Sequence, residues 1–213
     1  MKNRYVAYLA AFILLCSNAF SKDIVTYYEG FKSDILLKEA KYFEPTKEDL
    51  KYAAKIAKRL KKELAPRMPV SGLSAPQIGI SKQIFIYSWS KRLKDIEVVI
   101  NPSIVNYSIA ESVAWEKNLS SISKEGMSQI AAIKRPVEIE VIYMDLKGRP
   151  QHQILKGYGA RAFQHHYDIL NGKNHIKDKK NQVKTFYSFV EMESFLTSKS
   201  STTKFIPPKN VTR

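Results

Sequence analysis

The sequence predicts an α+β fold, and three observations carry that reading. Several strand-like segments precede one well-marked helix, whereas a doubly wound sheet would alternate the two. Val137, Ile139, Val141 and Tyr143 alternate with Glu138, Glu140 and Ile142, the period of a half-buried strand. Ala160 to Leu170 switches to helical spacing, with Ala160, Phe163, Tyr167 and Leu170 on one face, and runs into the helix stop Asn171-Gly172.

A chain of 213 residues is long enough to bury a core, and 44% hydrophobic with 11% aromatic residues argues against disorder. The formal net charge is +15, from 35 Lys and Arg against 20 Asp and Glu. These cations are scattered, and dense only at Lys55 to Lys62 and Lys177 to Lys180. A nucleic-acid partner, which needs them on one face, is not expected; an anionic surface bound through Lys55 to Lys62 and Lys173 to Lys180 is the alternative.

The N-terminus reads as a targeting segment. Lys2 and Arg4 precede an apolar run from Tyr5 to Leu15, and the small residues Ala19 and Ser21 stand just before Lys22. That run is shorter than the about 20 residues of a membrane span. Residues 1–21 are therefore expected to be a signal peptide and the protein exported, periplasmic or secreted, with a membrane anchor at residues 5–15 as the alternative. Removing them takes away Cys16, the only cysteine, and with it any disulfide or thiolate ligand. Residues 22–197 read as one domain, and 198–213, rich in Ser, Thr, Lys and Pro, as a disordered tail.

Within the domain, Lys22 to Tyr42 reads as an extended arm centred on Ile35-Leu36-Leu37. Thr46 caps a helix, with Asp49 three residues on. Leu50, Ala53, Ala54, Ala57, Leu60 and Leu64 mark its apolar face, and lysines the other. Pro66 and Pro69 end it. The small residues of Pro69 to Gly79 suit a backbone in close approach to something, in a loop feeding a strand at Ile84 to Tyr87. Glu97 to Ile100 is a second strand, and Ile104 to Ala110 is expected to pair with the next segment of the chain. Trp115 to Ser121 reads as a polar loop or short strand. Asp145 to Gly148 turns the strand at 137–143 into a return strand at Gln151 to Leu155. Phe186 to Phe195 reads as a strand or short helix.

Two of the four histidines, His165 and His166, stand side by side near the end of the helix. A helical metal site places its ligands at i and i+4, and the partner position of His165 is Ile169, which has no donor atom. Asp168 at i+3 leaves a His/Asp pair open. The alternative is a pair of histidines hydrogen-bonded within the core or exposed at a helix end.

Three stretches, in order, resemble the motifs of the peptide deformylase family. Gly72-Leu73-Ser74-Ala75-Pro76-Gln77-Ile78-Gly79 resembles G-x-G-L-A-A-P-Q-x-G, with Val70 at its first glycine. Glu116-Lys117-Asn118-Leu119-Ser120 resembles E-G-C-L-S, and Gln164 to Gly172 resembles Q-H-E-x-D-H-L-N-G. Asn101-Pro102, Arg135-Pro136, Asp145 to Gly148 and Gly157 to Arg161 also fit, so the resemblance spans about Ile35 to Gly172. It implies antiparallel sheets packed around a central helix that carries a degenerate HExxH-type motif.

The resemblance also implies a chemistry. The family removes formyl groups from N-formylmethionyl peptides with a metal, usually ferrous iron, held by the cysteine of the second motif and two histidines of the third. The glutamate beside the first histidine handles the proton of the metal-bound water. The motif glutamine and the backbone N–H after the cysteine stabilise the oxyanion. Carried across, Gln77, the Leu119 N–H and His165 are kept. Asn118 replaces the cysteine, His166 the glutamate and Ile169 the second histidine, with Gly72 and Leu73 lining the substrate cleft. Asn118 offers at best a weak oxygen ligand and Ile169 none, short of the three protein ligands of a catalytic ion. The expectation is therefore a deformylase-like pseudoenzyme without a metal cofactor, its cleft free to bind a peptide. The alternative is an active hydrolase holding Fe2+ or Zn2+ in a site rearranged around His165, His166 or Asp168.

Overall fold

The computed structural model describes residues 24–123, 125–199 and 206–211. The signal peptide or anchor expected in residues 1–21 lies outside them.

The N-terminal arm is not wholly extended. Gly30–Leu36 form a turn of 3-10 helix whose Leu36 is fully buried. Helix α1, Lys47–Leu64, starts as expected: the Asp49 N–H donates to Thr46 Oγ1 at 3.1 Å. Its buried face is Ala53, Ile56, Ala57, Leu60 and Leu64. Ile56 takes the place expected of Ala54, which is exposed, because the i, i+3, i+4, i+7 register starting at Ala53 selects position 56. Lys51, Lys55, Lys58, Lys61 and Lys62 are solvated.

Two antiparallel sheets follow. Strands β1 (Gly72–Ser74), β2 (Ile84–Ser88), β3 (Ile96–Tyr107), β6 (Glu138–Met144), β7 (Pro150–Lys156) and β9 (Lys209–Asn210) form the larger, in the order β1-β2-β3-β6-β7-β9. Strands β4 (Glu111–Ile122), β5 (Ser128–Pro136) and β8 (Gln182–Phe186) form the smaller, in the order β4-β5-β8. The β6–β7 hairpin turns at Asp145, whose Oδ1 accepts the Lys147 N–H at 2.8 Å.

Some expectations are corrected and some open alternatives decided. Ile104 to Tyr107 extend β3 and pair with β6, not with the segment that comes next. Of the loop and short-strand readings of Trp115 to Ser121 the strand holds, but it is part of a longer one, β4, set by pairing with β5. Of the two readings of Phe186 to Phe195, the helix holds: after Phe186 ends β8, Phe189–Ser198 form helix α3. Residues 206–211 of the expected tail are ordered on the sheet: Asn210 pairs with Gln153, Lys209 with Ile154, and the Val211 N–H donates to the His152 carbonyl at 2.9 Å.

Helix α2, Gly157–Leu170, occupies the centre and lies against β1, β2, β5, β6 and β7. It is buried over Gly159–His166 and Asp168–Leu170, so nearly every face touches protein. The Phe163 ring packs edge-on to Phe85 at 5.1 Å and to Tyr87 at 5.6 Å. Gly172 ends the helix with φ 69°, and a Cβ there would come within 2.7 Å of the Leu37 carbonyl carbon.

Candidate functional site

The buried centre of α2 brings the two histidines against β1 and β4. His166 is 2% exposed. Its Nδ1 lies 3.0 Å from Ser74 Oγ, and its Nε2 3.4 Å from Ser71 Oγ. Its ring stacks on Phe85 at 5.5 Å and meets the His165 ring edge-on at 5.1 Å. Gly72 makes room for it: a Cβ at that position would approach His166 Nε2 to 2.6 Å and the Ile86 carbonyl to 2.1 Å. Burial, with His165 and Arg135 adding to it against Glu116, pushes the His166 pKa well below the usual imidazole range. It is a neutral ring satisfied by two serines.

His165 faces a different set of partners. Its Nδ1 lies 2.9 Å from Glu116 Oε2. The Glu116 side chain is 8% exposed, and its carboxylate also accepts from Arg135 Nε at 2.7 Å and from Arg161 at 2.6 Å. Burial alone would raise its pKa, yet Arg135 and His165 hold the carboxyl well below its ordinary range. Arg135 also donates to Asp168 Oδ2 at 2.6 Å, and His175 Nε2 lies 2.8 Å from the same oxygen. Lys173 reaches the other Asp168 oxygen at 3.0 Å. The Asp168 pKa is depressed, with burial opposed by His175 and Arg135. Asp168 therefore belongs to this buried ion network, and no His165/Asp168 ligand pair forms. His175, seven residues past Asp168, carries no motif that would have announced its place here.

Gln77 and Asn118 hold each other. Gln77 Oε1 accepts the Ser74 N–H at 2.9 Å, and its Nε2 donates to Asn118 Oδ1 at 3.0 Å. The same Asn118 oxygen accepts the Ser120 N–H at 2.9 Å. Ile169 is 2% exposed. Positions 118, 165 and 169 together thus offer one imidazole, whose Nε2 remains after Nδ1 has bonded Glu116. Among the described residues, no group of three or more His, Cys, Asp or Glu side chains is placed to hold a metal ion.

Gln77, His165 and His166, though not Asn118 or Ile169, line a cavity of about 540 Å³ together with Val70, Gly72 and Leu119. Leu73, expected in the cleft, is not part of that lining: its side chain is fully buried in the core with Leu60, Ile86 and Leu119. Strand β1 starts at Gly72, which lines the cavity, and alternation turns the next side chain, Leu73, inward. Helix α3 supplies an outer wall through Glu193, Leu196 and Thr197. It is pinned by the Lys117–Glu193 ion pair and by Phe195, whose ring meets Trp115 at 5.2 Å and Phe186 at 5.5 Å. Nothing in the sequence of α3 pointed to this wall.

The fold is shared with solved peptide deformylases. The chain superposes on the Thermotoga maritima enzyme with a TM-score of 0.58 and 32% identity, over 70% of this chain and 90% of that one. On the Plasmodium falciparum enzyme the TM-score is 0.60 with 28% identity, over 72% and 83% of the two chains. In sequence it is 38% identical to the peptide deformylase of Thermotoga petrophila over 101 residues, and 37% identical to that of a Synechocystis species over 103 residues. These alignments take in 47% of this chain and 57% and 52% of the two relatives, so the chain spans about half the length of the curated relatives it matches. The polypeptide deformylase family profile matches residues 22–185, and the chain belongs to that family.

Proposed function

We propose that this chain is a deformylase-fold protein that binds peptide in its cleft and does not run metal-dependent deformylation. The observation that carries the reading is the hydrogen bond from Gln77 Nε2 to Asn118 Oδ1 at 3.0 Å. The oxyanion donor and the position of the family's metal-binding cysteine are closed on each other. The donor set does not fit the family's ion. Asn118 Oδ1 already accepts two hydrogen bonds, Ile169 has no donor, and one imidazole does not replace the usual three protein ligands. His166 stands where the family keeps its glutamate. It is buried neutral, and protonating it there is disfavoured, so it makes a poor proton acceptor.

What is kept is a cleft with apolar walls and a few convergent polar groups, the makeup of a small-ligand site. Gly72 gives a peptide backbone access to the floor, and His165 Nε2, with no hydrogen-bond partner among the described residues, is its polar anchor. Export by residues 1–21, as their composition suggests, would also separate this protein from nascent chains. The test is turnover of formyl-Met-Ala-Ser by the purified protein supplied with ferrous iron under anaerobic conditions. The reading expects none above the iron-only control; turnover abolished by His165→Ala would overturn it. Binding of the unformylated peptide is expected in the same sample.

A further inference from the structure

The rim of the cleft carries a cation for which the fold has no carboxylate to spare. Lys91 sits in the turn after β2 with φ 58°, a backbone conformation that a residue with a side chain adopts at a cost. Its Nζ lies 4.7 Å from the centre of the Tyr158 ring, which also lines the cavity. Both carboxylates of the lining are taken: Glu116 by Arg135, Arg161 and His165, and Glu193 by Lys117. Among the described residues, no carboxylate is paired with Lys91. With Lys199, a third ammonium at the same cavity, positive charge exceeds negative around the opening. Burial, followed by the repulsion of Lys117, lowers the Lys91 pKa, and Glu193, already paired with Lys117, only partly offsets them, so the charge is held at a cost that a further anion would relieve.

The anion that fits is small and singly charged. A lysine ammonium is a point charge. The one guanidinium of the lining, Arg161, is spent on Glu116 and on the Ser112 and Ile133 carbonyls, so no fork is left for a phosphate. Below the rim the walls are apolar, with Val70, Ala114, Leu119 and Leu196. We propose that the cleft takes short peptides by their free C-terminal carboxylate, held by the Lys91 ammonium, with apolar side chains lying on Val70, Leu119 and Leu196. This deepens the peptide-binding reading and rests on it. It also reverses the polarity of recognition, because it makes the acid end of the peptide the part that is read.

The experiment is calorimetric titration of the purified protein with N-acetyl-Leu-Leu as free acid, with the same peptide as its amide, and with N-acetyl-Glu-Leu-amide. The free acid is expected to bind about tenfold tighter than the amide, the scale of one charge-assisted hydrogen bond. That preference is expected to vanish in Lys91→Gln and to survive in Lys91→Arg, with thermal melting to show that both variants fold. Equal binding of acid and amide overturns the inference and leaves the peptide reading standing. So does an acid preference that Lys91→Gln leaves intact. N-acetyl-Glu-Leu-amide binding as tightly as the acid also overturns it, because the carboxylate recognised would then not be the chain end. No binding of any of the three peptides overturns both.

Discussion

His166 Nδ1 lies 3.0 Å from Ser74 Oγ, and each of the two stands where the family motif has another residue. The motifs place a glutamate at position 166 and an alanine at position 74. Exchanging only the first would bury an imidazole nitrogen without a partner, at a cost of about 1–3 kcal/mol. The serine removes that cost, so the two departures are one physical change. Ser74→Ala is expected to destabilise the protein by about that amount in urea unfolding. In a His166→Ala background the same substitution is expected to cost much less, and equal costs in both backgrounds would contradict the pairing.

The same burial sets a pH dependence. His166 is neutral in the fold with its pKa well below the ordinary value, whereas the unfolded chain protonates it near about pH 6.5. Below that pH the unfolded state binds a proton that the folded state does not, so stability falls as pH falls. Glu116 and Asp168, both depressed, contribute stability that is present above about pH 4 and is lost as pH falls further. The melting temperature, followed from about pH 8 to about pH 3, is expected to drop in two stages. His166→Asn is expected to remove the upper stage and keep the lower.

The ion network beneath the cleft predicts an asymmetric response to mutation. Arg135 is 4% exposed and bonds both Glu116 and Asp168. Arg135→Met leaves two buried carboxylates short of their main counter-charge and is expected to cost about 3–5 kcal/mol. Lys134→Met, one residue away and paired with Glu111 on the exposed side of β5, is expected to cost less than about 1 kcal/mol. Chemical denaturation of the two variants in parallel checks the contrast.

Legibility in the sequence followed the range of the interactions involved. Helix α2 with its Asn171-Gly172 stop and the β6–β7 hairpin were legible because local spacing and turn chemistry specify them; the stretch read as a loop before β2 instead holds strand β1, which pairing with β2 defines, and a 3-10 turn at Ala75–Ile78. Strand β5 was not: Ser128, Ile130, Ala131, Ile133 and Arg135 are all buried, so burial falls on neighbouring residues and no clean alternation marks it. The chemistry of the site was legible where a motif position lost its donor, as at Ile169 and Asn118. The partners that satisfy it were not, because Ser74, Glu116 and Arg135 reach α2 from three different strands. The α3 wall rests on Phe195 meeting Trp115, two residues 80 positions apart in a chain whose helix pattern gives no hint of where it docks.

Rebuilding the family's donors tests whether the rest of the scaffold still suits them. Asn118→Cys, His166→Glu and Ile169→His together restore the motif residues, and Ser74→Ala with them removes the hydroxyl that faces position 166. The quadruple variant is expected to retain metal through dialysis and to gain formyl-peptide turnover. Any smaller set that lacks Ile169→His is expected to hold no ion, since two protein ligands fall short of the usual three.

The central claim is that His165 is left as the only strong ligand at positions 118, 165 and 169. It is tested most directly by metal analysis of the protein purified from iron- and zinc-supplemented growth. The account predicts far less than about one ion per chain, unchanged by His165→Ala. About one ion per chain, lost in His165→Ala, would contradict it.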